Sequence, residues 1–146
     1  MKNMRIVVII QARTDSRRFP NKVLCKIKGK PLLWHVIDRI KHFECDDIVV
    51  ATTKRKIDDE IVRIVKTSGV KFFRGKKDDV LDRYYQAAIK FRAKTIIRIS
   101  ADCPLIDPNI SQEVLKKFQK GNYDYVATDD KTIPKALILN VLVSIL

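Results

Sequence analysis

The sequence predicts an α/β fold with a mostly parallel sheet and helices on both of its faces. Two apolar runs rich in β-branched residues, 5–11 (RIVVIIQ) and 47–53 (DIVVATT), lack polar alternation, which is typical of strands buried on both faces. Such runs alternate with segments that carry apolar residues at helical spacing. The connections are only a few residues long, as right-handed β–α–β units require. The pattern therefore indicates a doubly wound, Rossmann-like α/β/α sandwich of three layers.

Each element has its own local signals. Pro31 opens a first helix, Gly69 closes a second as a left-handed cap, Asp78 or Asp79 caps a third, and Asp107-Pro108 starts a fourth that Gly121 ends. The third helix is expected to bury Leu81, Tyr84, Tyr85, Ala88 and Phe91. The predicted strands cover 5–11, 47–53, 70–73, 95–100 and 123–127, and the predicted helices cover 31–43, 57–67, 78–92 and 107–120.

The composition indicates one globular domain with a strongly basic surface. The chain has 146 residues, of which 46% are hydrophobic, and a formal net charge of +13. No apolar stretch approaches the roughly 20 residues that cross a bilayer. The three scattered cysteines, Cys25, Cys45 and Cys103, favour reduced thiols in a cytoplasm over a disulfide or zinc framework. A positive surface attracts polyanions, of which nucleic acid and a nucleoside triphosphate are candidates, but a solvated lysine-rich surface would carry the same charge, so the charge alone decides nothing.

A basic loop follows the first predicted strand. It carries four cations, Arg13, Arg17, Arg18 and Lys22, and the hydroxyls of Thr14 and Ser16, but no glycine. Neither the dinucleotide-binding pattern nor the phosphate-binding P-loop pattern is present. A solvated basic loop would have this composition too. Its place at the carboxyl end of a buried strand, where α/β sheets bind ligands, favours anion binding through side-chain charge.

Acidic residues follow the fourth predicted strand. Asp102 comes two residues after Ser100, where a carboxylate could hold Mg²⁺ against substrate phosphates. Asp102 could also be a turn former, and Asp107 is interpreted as a helix cap. Cys103 has no nearby histidine in the sequence to activate it, so a small buried residue at a turn is favoured over a nucleophile.

These stretches resemble the cytidylyltransferase family, which includes the enzymes that activate 3-deoxy-manno-octulosonate and acylneuraminates. The resemblance is strongest to the branch called spore coat polysaccharide biosynthesis protein F. It extends from residue 5 to about 135, and it implies the nucleotide-diphospho-sugar transferase type of fold. The matching segments are A-R-x-x-S-x-R-F-P-x-K at 12–22, VVATT at 49–53, FRG at 73–75, DDVLDRYYQA at 78–87 and ADCPLIDP at 101–108.

The resemblance implies roles for individual residues. Arg13, Lys22 and Asp102 would be catalytic, with Asp102 as the ligand of a Mg²⁺ cofactor. The remaining nucleotide-binding residues would be Ala12, Ser16, Arg18, Thr52, Arg74, Asp79 and Arg83. The reaction would transfer a nucleoside monophosphate from CTP to a sugar or sugar acid for surface polysaccharide synthesis. The protein would work in the cytoplasm and form a homodimer. It would bind neither nucleic acid nor membrane.

The resemblance ends near residue 135. The family continues with an Asp-x-Glu element whose aspartate completes the metal site, whereas residues 136–146 (ALILNVLVSIL) contain no acidic residue. One plausible coding sequence for a family-like continuation encodes residues 136–141 when it is read one base later. We therefore hypothesise that this tail arises from a frameshift. We divide the chain into a nucleotide-binding domain, 1–135, and an aberrant apolar tail, 136–146, that either adds a strand or favours aggregation. Impaired catalysis is expected.

Three alternatives remain open at this point. The first is a uridylyl- or guanylyltransferase that acts on a sugar phosphate, because the basic loop contacts phosphates and not bases. The second is a basic, non-catalytic module that binds nucleic acid, which would lose affinity steeply with salt. The third is a remnant that keeps only the fold.

Overall fold

A computed structural model describes residues 4–128 and 140–144 of the chain. Four parallel strands form most of one sheet: β1 (Ile6–Gln11), β4 (Asp47–Thr53), β5 (Lys71–Gly75) and β6 (Thr95–Ser100). The fifth strand, β7 (Asn140–Ser144), pairs antiparallel with β6, and the sheet order is β5-β4-β1-β6-β7. A separate two-stranded hairpin joins β2 (Lys26–Ile27) to β3 (Lys30–Pro31). The predicted doubly wound, mostly parallel architecture is confirmed.

The four predicted helices are present with slightly shorter bounds. They are α1 (Leu32–Ile40), α2 (Asp59–Thr67), α3 (Val80–Lys90) and α4 (Pro108–Lys120). The side chain of Asp79 caps α3 by accepting a hydrogen bond from the N–H of Asp82, and Asp107 caps α4 through the N–H of Asn109. Gly69, with a φ of 71°, provides the left-handed turn after α2.

The core lies on both faces of the sheet, because the central strands are apolar on both sides. On one face, Val8 and Ile10 pack against α1, α2 and α4, with Leu33, Ile61 and Leu115 buried between the layers. On the other face, Val7 and Ile9 pack against Tyr84, Ala87 and Ala88 of α3. Successive residues of β1 face the two helical layers in turn, which explains why residues 6–10 are all apolar. No helix in the described ranges is long and apolar enough to cross a membrane.

One predicted strand and two predicted core contacts are wrong. Residues 123–127 do not form a strand, and β7 occupies the edge of β6 instead. A short alternating segment forms a strand only where a neighbouring edge is free to pair with it. In α3, Leu81 and Tyr85 are exposed, at 79% and 51%, because the sheet covers only the face that carries Tyr84, Ala87 and Ala88.

The predicted boundary at residue 136 falls outside the described residues, which resume at Asn140. The backbone of 140–144 adds an edge strand, which is one of the two outcomes expected for an apolar tail. The division of the chain into a domain and a tail stays a prediction.

Candidate active site

A buried aspartate fixes the loop that follows β1. Asp58 is fully buried in the short 3₁₀ turn between β4 and α2. Its Oδ1 accepts hydrogen bonds from the backbone N–H of Thr14 (2.9 Å) and from the Thr14 hydroxyl (2.7 Å), and its Oδ2 accepts one from the Thr53 hydroxyl. The carbonyl of Thr14 in turn accepts the N–H groups of Ser16 and Asn21. Thr14 is therefore the residue through which the core determines the shape of the basic loop.

The end of this loop meets the end of β6. The ammonium of Lys22 forms an ion pair with Oδ2 of Asp102, and the Ser100 hydroxyl donates to Oδ1 of the same carboxylate. Partial burial alone would raise the pKa of Asp102, but the hydrogen bonds from Lys22 and Ser100 outweigh it and hold that pKa below its ordinary value. The carboxylate is therefore ionised at neutral pH. Eighty residues of sequence separate Lys22 from Asp102, and the parallel sheet brings them together at one edge.

A cleft of about 320 Å³ opens between the basic loop and the end of β6. Five cationic side chains and one carboxylate line it, so its surface attracts anions. Its size suits a small-molecule ligand. The charged lining residues are Arg13, Arg17, Arg18, Lys22, Arg98 and Asp102, and Ser16, Ser100 and Tyr84 add polar groups.

A second charged cluster stands beside this cleft. Asp15 forms ion pairs with Arg55 and with Lys77 (3.3 Å), and it lies 3.7 Å from Nε of Arg13. Burial acts to raise the pKa of Asp15, but Arg55 and Lys77 outweigh it and lower that pKa. The cluster connects the loop after β1 to the segments that follow β4 and β5, so the basic loop is held from two sides.

The other predicted nucleotide-binding residues, Ala12, Thr52, Arg74, Asp79 and Arg83, do not line the 320 Å³ cleft, and two of them, Thr52 and Arg74, lie at the neighbouring ends of β4 and β5. Thr52 is buried in β4, in register with Arg74 of β5. Arg74 donates to the carbonyls of Thr53 and Arg55 and forms an ion pair with Asp59. Its contacts are those of a residue that holds the two strand ends together.

Asp79 and Arg83 belong to the start of α3. Asp79 lines a second, open cleft of about 700 Å³ together with Lys54, Arg55, Lys76 and Lys77. Arg83 is completely buried, and its Nη1 donates to the carbonyls of Lys76 and Lys77. Its Nε and Nη2 have no hydrogen-bond partner, and neither does the buried hydroxyl of Thr52. Buried donors without partners are uncommon in folded proteins, but Arg83 and Thr52 line neither cleft, so a ligand would contact them only after neighbouring side chains move.

Comparison with known proteins decides the family. A family model described as cytidylyltransferase matches residues 7–138, which include the basic loop, Asp58 and Asp102. The chain belongs to the cytidylyltransferase family. It is 31% identical over 128 residues to the spore coat polysaccharide biosynthesis protein SpsF of Bacillus subtilis, covering 83% of this chain and 53% of that protein. It is 34% identical over 119 residues to the 3-deoxy-manno-octulosonate cytidylyltransferase of an Anaeromyxobacter species, covering 80% and 48%.

A solved structure agrees with this assignment. A cytidylyltransferase from Leptospira borgpetersenii superposes with a TM-score of 0.92 at 29% identity, over 97% of this chain and 61% of that one. The predicted resemblance and fold type are thus confirmed. The chain spans about half the length of the curated relatives that it matches.

Two residues of structural interest are not among those predicted from the sequence. Asp58 falls within the helix predicted at 57–67, and nothing local marks it as the anchor of a loop 44 residues away. Arg98 falls within the strand predicted at 95–100. The structure places its guanidinium 5.2 Å from the ring centre of Tyr84, at the cleft. An arginine inside an otherwise apolar strand is the one signal that could have indicated Arg98.

The donor set at Asp102 fits a magnesium ion that is shared with a substrate. Mg²⁺ is often held by one or two carboxylates together with substrate phosphates. Across residues 4–128, no three acidic, histidine or cysteine side chains lie close enough together to form a metal site by themselves. Asp102, with the Ser100 hydroxyl beside it, would therefore hold the ion only in company with phosphate oxygens.

Cys103, next to Asp102, is poorly suited to covalent catalysis. Burial and the neighbouring Asp102 carboxylate both raise the pKa of its thiol. A raised pKa leaves less of the reactive thiolate at neutral pH. This supports the prediction that Cys103 is a structural thiol.

Proposed function

We propose that this chain binds CTP in the 320 Å³ cleft and is the nucleotide-binding part of an enzyme that transfers CMP to a sugar or sugar acid. The observation that carries the proposal is the ion pair between Lys22 and Asp102. This ion pair joins the cationic loop, which could bind a triphosphate, to the carboxylate that could hold the magnesium ion of that triphosphate. The acceptor class is carried over from relatives whose names refer to 3-deoxy-manno-octulosonate and to spore coat polysaccharide.

The cationic loop is proposed to bind the triphosphate. Arg13, Arg18 and Lys22 line the cleft together with the hydroxyl of Ser16. Arginine binds phosphate oxygens through a planar pair of N–H groups, and lysine acts as a point charge. Ala12 is buried, and its N–H donates to the carbonyl of Ala51, so it holds the start of the loop in place instead of contacting a ligand.

The transfer step needs charge stabilisation more than a protein nucleophile. The acceptor oxygen would form a bond to the α-phosphorus while the bond from that phosphorus to the bridging oxygen breaks, releasing pyrophosphate. Arg13 and Lys22 would neutralise the charge that develops on the leaving group. Asp102 would hold Mg²⁺, which supplies further neutralisation of the phosphate oxygens when it is bound.

We propose that the base of CTP and the acceptor sugar lie near the start of α3 and near the turn between β4 and α2. The unpartnered donors of Arg83 and the hydroxyl of Thr52 support this placement, as does the position of Asp79 in the adjoining cleft. Arg74 would act indirectly, by keeping the ends of β4 and β5 together. The three cysteines are free thiols, which supports a reducing compartment such as the cytoplasm.

Residues 1–146 by themselves are expected to bind CTP and its magnesium ion weakly, with little turnover. The described part of the cleft contains a single carboxylate for the metal ion. One carboxylate holds Mg²⁺ less firmly than two, and the sequence 136–146 adds none.

Titration calorimetry tests the proposal. CTP, UTP, GTP and ATP would be titrated with Mg²⁺ into the wild type and into a variant with Arg18→Ala and Lys22→Ala. We expect CTP to bind best, and the variant to bind it at least about tenfold more weakly, since one hydrogen bond to a charged group contributes roughly 1.5–3 kcal/mol. A control with Lys117→Ala and Lys120→Ala removes the same charge from α4, outside the cleft.

The outcomes distinguish the alternatives. Preference for UTP or GTP would favour the uridylyl- or guanylyltransferase. Equal loss in the two variants, together with steep salt dependence for DNA or RNA, would favour the nucleic-acid-binding module. Failure to bind any of the four nucleotides would overturn the proposal.

A further inference from the structure

Arg98 is the only charged residue of β6, and it lies on the face of that strand that is turned towards α3. Side chains point alternately to the two faces along a strand. Ile97 and Ile99 pack in the core with α1, α2 and α4, whereas Ile96 packs in the core with α3. Arg98 and Ser100, which alternate with Ile97 and Ile99, therefore share the α3 face of β6. An arginine at this place indicates a contact that an apolar residue could not make.

The ring of Tyr84 holds the guanidinium of Arg98 at the cleft. The guanidinium carbon lies 5.2 Å from the ring centre, which is within the range of a cation–π contact. Tyr84 lies near the start of α3 and is only 8% exposed, so the core fixes the position of its ring. Burial raises the pKa of the Tyr84 hydroxyl, although the charge of Arg98 opposes this shift. The hydroxyl therefore stays protonated at neutral pH and does not neutralise Arg98.

Arg98 has no acidic partner among residues 4–128 and 140–144. None of the ion pairs in these ranges includes it, and the residue is exposed. On the loop side of the cleft, by contrast, Lys22 pairs with Asp102. Arg98 thus presents its full positive charge to the cleft, where it attracts an anionic group of a ligand. A guanidinium that stacks on a ring keeps its N–H groups free to bind phosphate oxygens in the plane.

We propose that Arg98, positioned by Tyr84, binds the α-phosphate of CTP from the β6 side of the 320 Å³ cleft. This inference rests on the proposed function, which places CTP in that cleft. Tyr84 attaches Arg98 to the α3 side of the cleft, and the base of CTP is proposed to lie near the start of α3. The α-phosphate is the phosphate nearest to the base. The cations of the basic loop, which form the other side of the cleft, would then bind the β- and γ-phosphates.

The α-phosphate is the group that the reaction transfers. The acceptor oxygen forms its bond to the α-phosphorus, and the bond from that phosphorus to the bridging oxygen breaks as pyrophosphate leaves. A guanidinium stabilises the negative charge on the non-bridging oxygens of the transferred group. Arg98 would therefore act on the transferred group and the basic loop on the leaving pyrophosphate. CMP, which has only the α-phosphate, should then depend on Arg98 and not on the loop.

Titrations with CMP and with CTP separate the two sides of the cleft. CTP would be titrated with Mg²⁺ by calorimetry, and CMP by NMR, which measures weak binding. Arg98→Met is expected to weaken the binding of both ligands at least about tenfold, because both lose charge-assisted hydrogen bonds to the α-phosphate. Arg18→Ala should weaken CTP by a similar factor and CMP by less than about twofold. Arg63→Met is the matched control, since Arg63 is an exposed residue of α2 outside both clefts, and it should change neither affinity.

Further variants test the geometry of the contact. Arg98→Lys keeps the charge without the planar guanidinium, so it should recover only part of the affinity that Arg98→Met loses. Tyr84→Phe keeps the ring and should bind CMP and CTP as the wild type does, whereas Tyr84→Leu removes the ring and should weaken both. Equal losses in the two Tyr84 variants would contradict the positioning of Arg98 by the ring. Urea denaturation of Arg98→Met tests a structural role, and a lowered midpoint with unchanged affinities would overturn the inference.

The outcomes separate this inference from the proposed function. Failure of the wild type to bind CTP would overturn the proposed function. Binding of CTP by the wild type that Arg98→Met leaves unchanged would overturn the inference alone. Loss of CTP affinity with unchanged CMP affinity in Arg98→Met would assign Arg98 to the β- or γ-phosphate and overturn the assignment to the α-phosphate, as would a wild type that binds CTP but not CMP.

Discussion

Replacing Asp58 is the sharpest test of how the core shapes the candidate active site. Asp58 is fully buried, and it accepts three hydrogen bonds, two of them from Thr14. In Asp58→Ala, the N–H and hydroxyl of Thr14 and the hydroxyl of Thr53 all lose their acceptor. In Asp58→Asn, one oxygen remains to accept from Thr14, and the Thr53 hydroxyl can rotate to accept from the new amide.

The magnitude follows from the bonds that are lost. A hydrogen bond to a charged group contributes roughly 1.5–3 kcal/mol, and a buried donor left unpaired costs roughly 1–3 kcal/mol. These contributions are not additive, so we expect Asp58→Ala to lower the free energy of unfolding by about 3–5 kcal/mol, which is less than the sum over three bonds. Asp58→Asn should cost about 1–2 kcal/mol because it keeps part of the network.

Urea denaturation followed by circular dichroism measures both values. Asp59→Asn is the matched control, because Asp59 is adjacent and half-exposed and makes an ion pair with Arg74 at the surface. We expect it to cost less than about 1 kcal/mol. CTP titration at a temperature where Asp58→Asn is fully folded should show weaker binding, since the basic loop loses its anchor. A cost below 1 kcal/mol for Asp58→Ala would refute the argument that this aspartate fixes the loop.

Three further predictions concern single residues. The lowered pKa of Asp102 means that its carboxylate stabilises the fold above the ordinary value of 3.8 and loses this effect as the pH falls through the folded-state pKa. The difference in unfolding free energy between wild type and Asp102→Asn should thus stay constant from pH 7 to about pH 5 and shrink below about pH 4; a constant difference down to pH 3 would contradict this. Gly75→Ala would place a Cβ 3.0 Å from Cγ of Arg83 and 3.1 Å from the Phe73 ring, and urea denaturation should show a cost of about 1–3 kcal/mol. An unchanged urea midpoint in Gly75→Ala would mean that the Arg83 side chain moves away from the new Cβ without cost. Arg83→Met should change the unfolding free energy by no more than about 1.5 kcal/mol, because two guanidinium nitrogens already lack partners, yet it should weaken CTP binding. The reverse result, a large loss of stability with unchanged CTP binding, would make Arg83 purely structural.

Much of the fold could be predicted because its signals are local. The apolar composition of β1 and β4 by itself predicts that these strands are buried. Helix ends are marked by the short-range hydrogen bonds of Asp79 and Asp107 and by the backbone conformation of Gly69. The strand predicted at 123–127 failed for the opposite reason. Whether such a segment becomes a strand depends on whether a sheet edge is left for it to pair with, and residues 140–144 occupy the edge of β6.

The candidate site was predictable in part. Arg13, Ser16, Arg18, Lys22 and Asp102 all line one cleft, as expected for segments at the carboxyl ends of adjacent parallel strands. Their roles in nucleotide binding remain predictions. Asp58 and Arg98 were not found, because an aspartate in a turn and an arginine in a strand have many structural uses and only their neighbours distinguish them.

The sequence by itself determined the order of the four parallel strands and the four α-helices along the chain, the ends of most helices and the family to which the chain belongs. Each of these depends on residues that lie close together in the chain or on motifs in a fixed order. The tertiary structure decided the pairing of Lys22 with Asp102, the anchoring of Thr14 by Asp58 and the exposure of Leu81 and Tyr85 on α3. Contacts of this kind join residues that are distant in sequence, or depend on which helix face the sheet covers. Packing of the whole chain sets them, and no local pattern encodes them.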